Sequence, residues 1–311
     1  MTKGKTKWKV FLEVVSTLQA VSTFLFLGVT CTLLMFYLMF TSLWPIPTLY
    51  FVWQVVDWHT PERGGRKTTF VRNWRVWEHL RDFFPIKTAE LNPNKNYIVG
   101  IHPHGIMGCG AFTCFSTDSC GFKELFPGLR YNLLVLVGLF RLPVLREYTM
   151  LLGLLPVSKK SLVHLLTNQG KGNAAVIVIG GAAESLASAP GVNIVVMRKR
   201  KGFIRVALEA DLVPAYAFGE NELFKQVVFS EGSLGRRLQD LFKKIMGFAP
   251  CVFAGEHMGI LPYRIPITTV VGSPISVPKH IKATEEEVDH FHKLYMEALS
   301  KLFHEHKLRI I

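Results

Sequence analysis

Acidic residues are scarce in this chain. It carries 23 Asp and Glu against 36 Lys and Arg, a formal charge of +13 over 311 residues. Charged residues of both signs reach only 19%, below the roughly one quarter usual in soluble domains. From Val14 to Val56 there are none. The cysteines, at 31, 109, 114, 120 and 251, are odd in number. No spacing among them resembles a disulfide framework or a zinc site. A reducing, cytosol-facing environment is the simpler reading. There is no GxSxG nucleophile elbow. There is no P-loop, and no GxGxxG after a strand. Nucleotide hydrolysis therefore lacks its machinery. No CxxC pair or RNP-type aromatic run supports nucleic-acid binding. No internal repeat or low-complexity segment is evident.

What the chain has is apolar surface: 49% hydrophobic and 12% aromatic residues. The excess of positive charge then suits an anionic membrane surface. One spanning helix needs about 20 apolar residues. The uncharged run holds one full span and a shorter second one. Pro45 and Pro47, in "SLWPIP", break it. The expectation is a membrane hairpin over 18–56, with a first helix from about Leu18 to Phe40 and a second segment to Val56. A secretory signal has a shorter apolar core and a cleavage site. Lys3, Lys5, Lys7 and Lys9 precede the run; Arg63, Arg66, Lys67, Arg72 and Arg75 follow it. Positive charge on both flanks places both ends in the cytosol. The chain divides into a basic N-terminus (1–17), the hairpin (18–56) and a catalytic-size domain (57–311). A buried soluble hairpin is the alternative. "VRNWRVWEHLRDFFPI" interleaves Arg72, Arg75, His79 and Arg81 with Trp74, Trp77, Phe83 and Phe84. It reads either as an amphipathic helix at the headgroup level or as a surface helix packed on the domain.

The rest alternates strands and helices. "NYIVGI" (Asn96–Ile101), "AAVIVIGG" (Ala174–Gly181), "NIVVM" (Asn193–Met197), "DLVPAYAFG" and "PITTVVGSPISV" read as strands. The continuous apolar runs suit a buried parallel sheet. "PVLREYTMLLG" (Pro143–Gly153) and "KGFIRVALEA" read as helices. In the last segment Thr284 and Glu287 form a capping box. Val288, Phe291, Tyr295, Ala298 and Leu302 mark one helical face. The fold class is α/β with a largely parallel sheet.

The chemistry centres on "GIHPHGIMGCG" (Gly100–Gly110). His102 and His104 flank Pro103 where a strand ends, and ligands gather at the C-terminal ends of strands. Pro103 fixes one φ and Gly105 frees another. Successive side chains in extended structure face apart, which argues against a shared metal, and no further ligand has metal spacing. A general base is the functional reading; a turn histidine bonded to backbone is the bland one. "IGGAAES" (Ile179–Ser185) places Glu184 after a strand. It either orients an imidazole or sits at a helix N-terminus favoured by the dipole. "MRKRKGF" gathers Arg198, Lys199, Arg200, Lys201, Gly202 and Phe203 at a strand-to-helix junction. The phosphates of coenzyme A suit it, as does a solvated basic face. Cys109 and Cys114 read as buried thiols rather than nucleophiles.

"HPHG", with "GAF", "FPG", "LREY", "GGAAES", "RKGF", "FGENE" and "PITTVVG" downstream in order, resembles the type 2 diacylglycerol acyltransferases. That family includes monoacylglycerol and wax alcohol acyltransferases. "DWHTPERGGR" extends the resemblance, which covers about Phe24 to His306. It implies an endoplasmic-reticulum membrane enzyme, also found on lipid droplets. Such enzymes move a fatty acyl group from acyl-CoA to an acylglycerol or long-chain alcohol. Acyl-CoA is the co-substrate, with no other cofactor and no metal, and self-association is common. The resemblance puts the catalytic role on His104 and carries the motif carboxylate to Glu184. His102, Pro103 and Gly105 support the motif. Arg200, Lys201, Gly202 and Phe203 bind substrate, and Phe24, Leu25 and Leu27 in "FLFLG" bind neutral lipid. The acylglycerol branch is the main expectation, with a wax synthase or a catalytically impaired lipid-binding relative as alternatives. Soluble-domain relatives pair the histidine with an aspartate five residues on. Here Cys109 stands there, so a carboxylate must come from elsewhere. Two stretches depart from the family pattern. "LEADLVP" lacks about two residues, and "FAGEHMGILPY" is shortened around Glu256 and His257.

Overall fold

The computed structural model describes residues 5–82, 86–87, 91–207, 210–256, 259–278 and 284–310. Its centre is a mixed sheet built from β1 (Ile86–Lys87), β2 (Tyr97–His102), β3 (Arg130–Val135), β4 (Leu155–Pro156), β5 (Asn173–Val178), β6 (Asp211–Phe218) and β9 (Thr268–Val271). A separate ribbon pairs β7 (Lys225–Gln226) with β8 (Phe253–Ala254). The order across the sheet is β1-β9-β6-β2-β5-β3-β4. β9 runs antiparallel to β6; the other described pairings in the sheet are parallel. β2 lies in the middle, and all six of its residues are buried. Apolar residues on both faces of β2, β5 and β6 are what a sheet covered on both sides requires.

The period-two alternation of the strands sorts the core into two layers. Tyr97, Val99 and Ile101 point to one side, among Trp77, Ala111, Phe115, Leu133 and Val213. Ile98 points to the other, among Ala175, Leu212, Tyr216, Tyr295 and Leu299. The first layer is roofed by α4 (Thr69–Arg72), α5 (Arg75–Arg81), α6 (Cys109–Ser116), α7 (Phe122–Leu125) and α8 (Leu145–Leu151). The second is roofed by α9 (Lys159–Val163), α11 (Gly202–Val206) and α13 (Glu285–Ile310), while α10 (Gly181–Ser185) follows β5. At the start of α13 the Glu287 N–H donates to Thr284 Oγ1 (3.2 Å) and the Thr284 N–H to Glu287 Oε2 (2.9 Å). That is the reciprocal capping box read from the sequence.

The N-terminal helix begins earlier than the hydropathy pattern predicts. α1 (Lys7–Ser22) runs through a π-helical turn, Thr23–Leu27, into α2 (Gly28–Leu38). The 32 residues form the one helix among those described that is long and apolar enough to cross a membrane. It starts at Lys7 because Thr6 caps it and because the charge at Glu13 is satisfied. Glu13 is fully buried and bonds Lys5 Nζ and Arg264 Nη1, each at 2.7 Å. Farther along, Gly28 passes so close to Leu142 that a Cβ would stand 2.7 Å from its Cδ1. The chain turns at 39–44 into α3 (Pro45–Val56), which touches α2. Twelve residues span about 18 Å, short of the roughly 30 Å hydrocarbon core. α3 is tied back to the domain. Tyr50 Oη donates to Glu147 (2.6 Å), and Gln54 Nε2 donates to the Arg141 carbonyl (3.0 Å).

Two other segments resolve open or mistaken expectations. α4 and α5 pack on the domain: Trp77 and Leu80 are buried, and buried Arg72 pairs with Asp118 at 3.0 Å. Phe83 and Phe84 lie outside the described residues. Asn193–Met197 is not a strand. Its Val196 N–H is taken by Glu184 Oε1 at 2.8 Å rather than by a neighbouring strand. Leu208, Glu209, His257 and Met258, in the two shortened stretches, also lie outside the described residues.

Candidate active site

β2 delivers His102 to the C-terminal edge of the sheet, and a cis peptide joins it to Pro103. His104 and Gly105 complete the turn, with Gly105 at φ +59°. A side chain there is excluded on two counts: the left-handed backbone, and Glu220, whose Cγ would lie 2.6 Å from a Cβ. The next strand, β5, ends one turn before α10, which carries Glu184 and Ser185.

These two residues organise the turn. Glu184 Oε2 accepts the His104 backbone N–H at 2.7 Å. Glu184 Oε1 lies 3.3 Å from His102 Nδ1 and also accepts from Val196. The carboxylate therefore holds the ring of His102 and the backbone of His104. The expected contact with the ring of His104 is not made. That ring is held by others: its Nδ1 lies 2.8 Å from Ser185 Oγ and 3.1 Å from the Gly105 carbonyl. A carbonyl accepts only, which favours the tautomer with the proton on Nδ1, and in that tautomer Ser185 Oγ is a second acceptor. Nε2 is left with its lone pair, and no described residue bonds it.

Electrostatics follows from burial. Burial pushes the His104 imidazole below its ordinary value, against the Gly105 carbonyl and the Glu184 charge. The ring is thus neutral near pH 7. Burial pushes Glu184 up, but His102 and the two N–H donors outweigh it and hold the carboxyl below its usual range. A second carboxylate, which sequence spacing does not reveal, also meets this region. Glu220 accepts the N–H groups of Cys109 (2.8 Å) and Gly110 (2.7 Å) at the start of α6. Burial pushes it up to about 7, against those two bonds. So the carboxylate near the fifth residue after His104 arrives from the end of β6 and meets backbone. The Cys109 thiol is driven well up by burial, which disfavours a thiolate nucleophile. The helical-face pattern accounts for Tyr295 only as packing. Its Oη donates to the Gly100 carbonyl at 2.8 Å, and its ring lies 6.4 Å from that of His102. Among the described residues no three His, Cys, Asp or Glu side chains gather as a metal site.

A family model described as "Diacylglycerol acyltransferase" matches residues 36–311, nearly the whole chain. The chain belongs to the diacylglycerol acyltransferase family. It is 52% identical to diacylglycerol O-acyltransferase 2 of Homo sapiens over 317 residues, covering 98% of this chain and 82% of that one. It is also 52% identical to 2-acylglycerol O-acyltransferase 3 of Homo sapiens over 318 residues, covering 98% and 93%. Among solved structures it is similar to the 1-acyl-sn-glycerophosphate acyltransferase PlsC from Thermotoga maritima. That match has a TM-score of 0.41 and 12% identity, and covers 95% and 97% of the two chains.

The remaining residues that the diacylglycerol acyltransferase resemblance singles out are dispersed. Arg200 is exposed, and its Nη2 reaches the Gly180 carbonyl at 3.4 Å, beside the Glu184 motif. Lys201 is ion-paired with Asp289 of α13. Gly202 opens α11. Phe203 is buried, with its ring edge-on to Tyr295 at 5.1 Å. Phe24, Leu25 and Leu27 form most of the π-helical turn, and Phe24 is exposed. No hydrogen bond or ion pair among the described residues joins that turn to His104.

Proposed function

We propose that this acyltransferase moves a fatty acyl group from acyl-CoA to a hydroxyl of a monoacylglycerol or diacylglycerol. His104 Nε2 is the general base. It takes the hydroxyl proton as the oxygen bonds to the thioester carbonyl carbon. The C–S bond then breaks, and the coenzyme A thiolate recovers the proton from the imidazolium. The observation that carries this reading is the position of His104 Nδ1 between Ser185 Oγ and the Gly105 carbonyl, which favours a proton on Nδ1 and a free lone pair on Nε2. Glu184 is a positioning residue that fixes the turn through the His104 N–H and His102. The Gly105 N–H, for which no described residue is an acceptor, would receive the oxyanion. Arg200 would meet the phosphates of coenzyme A.

The enzyme is held in the endoplasmic-reticulum membrane through 18–56, with both ends and the 57–311 domain on the cytosolic side. Lipid-droplet surfaces are a second location. The apolar run between two basic flanks supports this topology. Phe24, Leu25 and Leu27 would contact neutral lipid. The test is expression in membranes that lack neutral-lipid synthesis, with labelled oleoyl-CoA and mono-, diacylglycerol and long-chain alcohol acceptors in parallel. Di- or triacylglycerol product is expected. Wax ester alone would move the acceptor to alcohols. A well-inserted chain with no product would sink the reading.

A further inference from the structure

α12 (Leu234–Met246) is built inside out for a helix on a protein surface. Leu234, Leu238, Leu241, Phe242 and Ile245 recur at i, i+4, i+7, i+8 and i+11 and form one face. That face points away from the protein: Leu234 is 73% exposed and Ile245 71%. The side turned inward is polar. Gln239 is buried and its Nε2 donates to the Pro250 carbonyl at 3.0 Å. Arg236 and Lys243 are tied to Asp240, at 3.3 and 2.5 Å. Arg237 and Lys244 lie along the edge of the apolar face, both exposed, with no ion pair among the described residues. Just past the helix Phe248 adds a half-exposed ring, edge-on to Phe242 at 5.0 Å.

We propose that α12 lies flat in the interface of an anionic lipid bilayer, as a second membrane contact besides the N-terminal helices. Its polar strip and apolar face have the division that interfacial helices need, with unpaired cations at the level of the phosphates. Its place in the fold selects lipid over a protein partner. α12 ends at Gly247, where a Cβ would stand 3.4 Å from Leu136 Cδ1. Leu136 starts the turn Val137–Arg141. The Arg141 carbonyl accepts from Gln54 of α3, and neighbouring Leu142 packs on Gly28 of the long helix. The C-terminal end of α12 therefore stands beside the part of the domain that rests on the membrane segment. The proposal depends on the membrane placement of that segment.

The test places the photoreactive residue benzoylphenylalanine singly at Leu241, Ile245, Lys243 or Leu34 in the full chain. The protein is reconstituted in phosphatidylcholine vesicles with or without phosphatidylserine, then irradiated. Phospholipid adducts are expected at 241 and 245 in at least fivefold excess over 243, with severalfold loss when phosphatidylserine is omitted. Adducts to a second copy of the chain at 241 and 245 would overturn the proposal, as would yields equal to that at 243. Equal yields in both vesicles would overturn its anionic part. Leu34 reports α2: no lipid adduct there would remove the membrane placement and the proposal with it. The double change Leu238→Glu and Leu241→Glu should abolish adducts at 245 while the thermal transition in detergent stays in place. Acyl transfer assayed in the same vesicles reads the function separately.

Discussion

Replacing Glu184 with glutamine changes one atom from acceptor to donor, and the geometry dictates the consequence. Glu184 Oε1 accepts from Val196 and faces His102 Nδ1; Oε2 accepts from the His104 N–H at 2.7 Å. A glutamine has one acceptor oxygen. If that oxygen keeps the Oε1 position, its NH2 group faces the His104 N–H, donor against donor. The flipped amide instead opposes both Val196 and His102. The first orientation is the cheaper, and the bond it loses is the one that fixes the turn bearing the proposed base. A buried donor left without its charged acceptor costs about 1–3 kcal/mol. Partial opening of the turn by that amount lowers kcat by roughly ten- to hundredfold. KM for acyl-CoA should change little, because the basic stretch near Arg200 is untouched. The assay is acyl-transfer kinetics on detergent-solubilised protein, beside its thermal transition. A Glu184→Gln enzyme with wild-type kcat would refute the role of the carboxylate as the clamp on His104.

Other outcomes follow from the same geometry. His104→Gln should lower kcat by at least about a hundredfold with little change in the thermal transition, since the ring is only half-buried; retained turnover would remove it as the base. Because desolvation lowers the His104 pKa, the acidic limb of kcat/KM should fall below the ordinary imidazole value of about 6.5; a limb above it would contradict the neutral ring. Glu220 is raised from 4.5 to about 7, so its folded form holds its proton more tightly than its unfolded form. Its contribution to stability is full below about pH 4.5 and declines by about 3 kcal/mol as pH rises through about 7. Glu220→Gln should flatten that part of the melting-temperature profile, and an unchanged slope would contradict it. Gly100→Ala would set a Cβ 2.1 Å from Tyr295 Oη and 2.3 Å from Ile179 Cδ1. Overpacking at the sheet centre costs about 1–3 kcal/mol or more, read as a fall in the melting temperature; an unshifted transition would show that the two layers can spread.

Much of this was legible because burial leaves a pattern that is local in sequence. β2, β5 and β6 are continuous apolar runs, and both the Thr284 cap and the turn glycines mark their own positions. Asn193–Met197 misleads because its apolar pattern is strand-like while its backbone is claimed by Glu184, a side chain that periodicity cannot see. The helix start at Lys7 is hidden in the same way: Glu13 looks like a boundary until Arg264, 251 residues on, neutralises it. Lys201 and Phe203 sit in a motif that suits phosphate, yet α13 engages both. Glu220 and Ser185 lie inside short motifs, but only the folded chain brings them to the turn. Spacing therefore finds the strand that carries His104. It does not find the groups that choose the tautomer.

Tyr295 and Gly100 are joined by one hydrogen bond across 195 residues. The strand that leads into the His104 turn thus has its Ile98 side closed in part by a helix far along the chain. Loosening of α13 is therefore felt at His102 through the Gly100 carbonyl, although among the described residues no α13 side chain bonds His102 or His104.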